Sequence, residues 1–93
     1  MHLKGWRDMR FIFITSDIAR DEEVIKITNT DVKSAVVDLA KFHGYDYKVL
    51  AKIKDHITIE ELVNFYNQHI ATFGNKISEV YSVGEPIYGK WQN

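Results

Sequence analysis

The chain contains no cysteine, a single proline and no unbroken apolar run longer than the four residues 11–14. Without thiols there are no disulfides and no thiolate metal sites, and the usual means of holding so small a domain together outside the cell is missing. The short apolar runs fall well below a membrane span or the core of a signal peptide. These two absences point to a cytoplasmic protein with no membrane partner. Excess charge is missing too: the formal net charge is −1 with neutral histidines. The chain as a whole therefore lacks the basic surplus of a typical nucleic-acid binder, and any basic patch is local.

Catalytic signatures are equally scarce. The sequence has no glycine-rich phosphate loop, no GxSxG, no GxGxxG and no HExxH. The histidines His2, His43, His56 and His69 include no pair at helical i, i+4 spacing, so they offer no ready metal site. Acidic pairs occur only as sequence neighbours, Glu22 with Glu23 and Glu60 with Glu61. Neighbouring side chains diverge on a strand or a helix and make no acid/base pair. The expectation is a non-enzymatic protein with no cofactor and no metal.

What is present is an ordinary globular balance, 45% hydrophobic and 27% charged over 93 residues, which excludes a disordered chain and fits one domain. Lysine outnumbers arginine nine to three, isoleucine is the commonest apolar residue and proline is rare. That composition suggests an AT-rich coding genome and fits an accessory or inhibitor protein of a low-GC bacterium, phage or mobile element.

Residues 9–15 and 22–28 are short, β-branched and alternating, joined by the polar stretch 16–21, and read as a hairpin. Asn29 or Thr30 can then cap a helix to His43, with Val32, Ala35, Val36, Leu39, Ala40 and His43 on one face and Gly44 as its stop. On that stripe His43 reads as a structural histidine, where a protonated ring would meet the negative end of the helix dipole favourably.

Period two returns over 46–54. Tyr47, Val49, Ala51 and Ile53 take one side, while Lys48, Leu50, Lys52 and Lys54 take the other, so this segment reads as a strand. Next comes the strongest local signal in the chain. Thr58 and Glu61 form a capping box and Ile57 and Leu62 a hydrophobic staple. They start a helix over 58–73 whose buried stripe is Ile59, Leu62, Val63, Tyr66, Ile70 and Phe73, and Gly74 stops it. Residues 76–83 read as a last strand.

The predicted fold is therefore α+β: a four-stranded mixed sheet in the order β-β-α-β-α-β, with both helices on one face. Residues 1–8 are an extension, 9–83 the core and 84–93 a tail that packs or pairs. On this scheme the face away from the helices presents Arg10, Ile12, Ile14, Val24, Lys26, Lys48, Leu50, Lys52 and Lys54. Its aliphatic area exceeds what a monomer usually leaves in water, so the tail, a second copy or a partner should cover it.

Trp6 and Trp91 each sit beside cations near a terminus, pinned to the body or serving as interface anchors. The candidate binding set is Arg10, Ile12, Ile14, Lys26, Lys48, Leu50, Lys52, Lys54 and Trp91. The function expected is protein interaction, with another protein or as a homodimer. The alternative is nucleic-acid binding through the lysine row, by phosphate contact without base stacking, since that strand's only aromatic, Tyr47, lies on the side away from its lysines.

Overall fold

Alternation in the first strand sets the architecture. In β1 (Met9–Ser16), Phe11, Phe13 and Thr15 are buried while the residues between them are not. A strand with one buried face must be covered on that face alone, and the two phenylalanines, with ring centroids 6.5 Å apart, form the floor of the core. Each such ring contributes about 1.5–3 kcal/mol when removed from water. The computed structural model describes residues 9–54 and 56–89. The extension 1–8, with Trp6, and Trp91 in the tail lie outside the described residues.

β1 is central, flanked by β2 (Glu22–Asn29) and β3 (Lys76–Ser82), with β4 (Glu85–Tyr88) beyond β3. Every pairing is antiparallel. β1 and β2 run in unbroken register from Met9 opposite Asn29 to Ser16 opposite Glu22. On the other side, Ile14 faces Glu79 but Thr15 faces Ile77, which leaves Ser78 as the extra residue of a bulge. The Ser78 hydroxyl donates to the Ile14 carbonyl at 3.0 Å and so satisfies the group the bulge would strand.

The helical layer begins with α1 (Val32–His43), which buries Ala35, Val36, Leu39 and Ala40. Its cap is Asp31, one residue later than Thr30 and two later than Asn29. The Asp31 carboxylate accepts from the Ser34 amide at 2.8 Å, while Asn29 is engaged with Asp38 instead. Gly44, at φ 77°, closes the helix as expected, because that left-handed conformation costs glycine least.

Residues 46–54 are not a strand. The Asp46 carboxylate accepts from the Lys48 amide at 3.1 Å, turning the chain into the single-turn α2 (Lys48–Ala51). Lysine, leucine and alanine are helix formers, and over so few residues a period of two does not separate strand from helix. The turn sends Leu50 fully into the core and leaves Lys48, Lys52 and Lys54 exposed. The mixed sheet gives way to an antiparallel one. Among the described residues the order is two strands, three helical segments and two strands, and the fourth strand comes from the segment read as a tail.

The helix start at Thr58 is as expected: α3 (Ile59–Phe65) carries the complete capping box, the Thr58 hydroxyl accepting from the Glu61 amide and the Glu61 carboxylate from the Thr58 amide. Its end differs. Tyr66–Ile70 widens into a π turn, in which the Ala71 amide reaches back five residues to the Tyr66 carbonyl at 2.8 Å. Helical winding stops there, so Phe73 falls beyond the buried stripe and is 85% exposed. Asn67 in the π turn explains the position of β3: its side-chain amide donates to the Ile77 carbonyl, and its oxygen accepts from the Ile77 amide at 2.8 Å.

Two substitutions test this arrangement. Thr58→Ala should cost about 0.5–2 kcal/mol through loss of the cap, read from the denaturation midpoint. Leu50→Ala should cost about 2–5 kcal/mol as a core cavity, whereas replacing Lys48, Lys52 and Lys54 together by glutamine should leave stability within about 0.5 kcal/mol per site. The reverse ranking would restore the strand.

Candidate functional site: the uncovered sheet face and its edge

The helix-covered side of the sheet holds Phe11, Phe13, Thr15, Ile25, Ile77 and Val80, all buried. On the opposite side none of the described residues is buried, and the register arranges them in rows. Lys26, Ile12, Tyr81 and Pro86 lie side by side across the four strands, and Val24, Ile14 and Glu79 form the next row. Arg10 stands opposite Thr28. The surface is an apolar centre of Ile12, Ile14 and Val24 with cations and carboxylates around it, and Val24 is 57% exposed. The Tyr81 hydroxyl donates to Glu79 at 2.7 Å, which raises the tyrosine pKa and holds the ring and the carboxylate together at the β3 side of the face.

Of the residues the sequence singled out, Arg10, Ile12, Ile14 and Lys26 come together on this face. Lys48, Leu50, Lys52 and Lys54 do not join them. They belong to α2 and the turn after it, so no lysine row lies on the sheet, and Leu50 has no exposed surface to offer. Sequence reasoning missed Tyr81, Glu79 and Pro86, because the bulge at Ser78 shifts the alternation of β3 by one residue and the reading of a tail that packs or pairs fixed no register for β4. No local pattern in 76–83 announces that bulge.

The two edges of the sheet are unlike. β4 is four residues long, contains Pro86 and has a register shift against β3. Short length, proline and irregularity are the devices that keep an edge from pairing. Gly89, at φ 133°, continues so close over Glu79 that a Cβ there would stand 2.8 Å from the Glu79 Cγ. β2 has none of these features: eight residues, no proline and no shift.

A second feature lies at the end of the molecule formed by the β1–β2 loop and the turn after α3. A shallow recess of about 400 Å³ is lined by Asp17, Ile18, Ala19, Tyr45, Phe73, Gly74 and Asn75. The Tyr45 hydroxyl donates to the Gly74 carbonyl at 3.2 Å and accepts from the Asn75 side chain at 3.0 Å, pinning the turn to the end of α1. Ile18, 79% exposed, and Phe73 form its apolar rim. Three buried polar atoms, Thr15 Oγ1, Tyr66 Oη and His43 Nε2, have no hydrogen-bond partner among the described residues. Burial pushes the Tyr66 hydroxyl far above its ordinary pKa and keeps it neutral.

His43 sits between the rings of Phe42 and Tyr45, at centroid distances of 5.1 and 5.5 Å. Desolvation lowers its pKa below 6.5, and the nearby Glu23 carboxylate opposes this only in part. The dipole benefit expected for a charged ring therefore loses to burial. Among the described residues no group of three or more histidines and carboxylates is placed to hold a metal ion, and no helix is long and apolar enough to cross a membrane.

In comparisons with known proteins, the chain matches no family model, no curated protein and no solved structure.

The depressed His43 pKa has a definite pH signature. Because the unfolded ring binds a proton more readily than the folded one, this residue's contribution to stability is full above pH 6.5 and is lost as pH falls below it. His43→Leu should therefore flatten the fall of the urea midpoint between about pH 7 and pH 5. A wild type and variant with parallel pH profiles would show the ring to be freely solvated.

Proposed function

We propose that this domain is a non-enzymatic protein-interaction module whose binding surface is the uncovered sheet face around Ile12, Ile14 and Val24. The observation that carries the reading is the contrast between the two faces: one holds all of the sheet's fully buried residues, the other a contiguous apolar centre under no described layer. Contiguous apolar surface rimmed by charge is the composition of protein-binding sites, where aliphatic area gives affinity and the rim gives orientation. Arg10 and Lys26 on one side and Glu79 on the other supply that rim. The cysteine-free composition supports a cytoplasmic setting for the module.

A photo-crosslinking amino acid tests the assignment position by position. Installed at Ile12, it should give discrete protein adducts in lysate of the native host, with or without nuclease. Installed at Asn64 on the exposed side of α3, it should give none. Adducts at Asn64 alone, or nuclease-sensitive recovery at Ile12, would contradict the proposal.

A further inference from the structure

We infer that β2 is a dimerisation edge: it pairs antiparallel with β2 of a second copy of this chain, with the two-fold axis passing beside Val24. The inference builds on the interaction reading by naming one occupant for the edge of that surface. It starts from the direction of the backbone groups. The Val83 amide donates to the Arg10 carbonyl at 3.2 Å, so the polar groups of Arg10 point towards β3. Those of the next residue, Phe11, must then point to β2, where Phe11 faces Ile27. With no shift in that register, Glu23, Ile25 and Ile27 spend their backbone groups on β1. Glu22, Val24, Lys26 and Thr28 direct theirs outward from the edge.

The same four residues carry their side chains on the uncovered face. A second β2 must therefore set even-numbered residues against even-numbered ones, because any other register opposes outward groups to inward ones and turns the side chains to opposite faces. Charge decides among the registers that remain. An axis at Glu22 sets Glu22 against the partner's Glu22, and an axis at Lys26 sets two lysines together. An axis at Glu23 sets Glu22 against valine and Lys26 against Arg20, and an axis at Ile25 sets Glu22 against threonine and Lys26 against valine. Only the axis at Val24 sets Glu22 opposite the partner's Lys26 and Lys26 opposite the partner's Glu22. It also brings Val24, more than half exposed in one copy, against the partner's Val24.

Ile14 is the cross-strand neighbour of Val24, so the apolar row of each copy continues through the axis into the other. The interface is isologous, closes on itself and leaves the guarded β4 edges outermost. Cross-strand pairs of opposite charge stabilise a sheet, and like charges directly opposite destabilise it.

Sedimentation equilibrium of the full chain tests the inference. The wild type should be a reversible dimer. Lys26→Glu and Glu22→Lys should each weaken it by roughly tenfold, since each creates two like-charge pairs across the axis. The double exchange Glu22→Lys with Lys26→Glu should restore it. Val24→Pro should abolish it while preserving the circular dichroism of the fold, because the amide it removes points away from β1 and proline is tolerated on an edge.

A wild type that stays monomeric up to ~1 mM would overturn the pairing. So would a dimer indifferent to Val24→Pro, or single-variant losses that the double exchange fails to repair. If crosslinks at Ile12 to another protein persist while the chain is monomeric, the edge pairing fails and the interaction reading stands. If the dimer forms as described and Ile12 captures nothing but a second copy, self-association is the whole of the interaction.

Discussion

The rest of the structure depends on burying one face of β1. Phe11 and Phe13 share one side of the strand, and every described helical segment contributes to the layer above them: Val36 and Leu39 from α1, Leu50 from α2, Leu62, Val63 and Tyr66 from α3 and its π turn. Spending the helical layer on one side leaves the other side of the same strand with no layer over it among the described residues. The face without a described layer thus follows from the placement of all the described helical segments on one side. Both readings of function begin from this asymmetry.

Edge chemistry adds direction to it. A sheet with one guarded and one regular edge can extend only one way, and here the regular edge carries an acid and a base two residues either side of a valine. Lys26 can be read as a guard against promiscuous pairing, and Glu22 makes that guard selective, since it accepts the lysine in one register and no other. The device would limit association to a single closed pair.

Much of the fold was legible where two independent signals agreed. The hairpin of β1 and β2 had alternation and a polar connection; α1 had a stripe and a glycine stop; α3 had a capping box and a staple. The failures share a cause in the opposite situation. Residues 46–54 offered alternation alone, and the Asp46 turn with the burial of Leu50 outweighed it. Phe73 continued the helical stripe on paper, but the π turn ended the winding before it. β4 carries Pro86 between the flanking Gly84 and Gly89, and its segment reads in the sequence as a tail that packs or pairs, although a proline on an edge strand interrupts no ladder.

The site was legible to a similar extent. The β1 and β2 residues of the uncovered face could be assigned from parity, whereas Tyr81 and Glu79 depended on a bulge that no local pattern announces. The recess at Tyr45 joins residues more than fifty positions apart in sequence, from Asp17 to Asn75, and only the fold brings them together. Its rim residue Ile18 belongs to the stretch 16–21 that reads in the sequence only as a polar connection.

The central claim is that the outward backbone groups of β2 are the ones left for a partner. Amide hydrogen exchange reads them directly, residue by residue. The account predicts that Ile25 and Ile27 are protected at every protein concentration. It predicts that the Val24 and Lys26 amides exchange freely in dilute protein and become protected together as concentration rises. Protection of Val24 and Lys26 that does not change with concentration, or free exchange at Ile25 and Ile27, would contradict it.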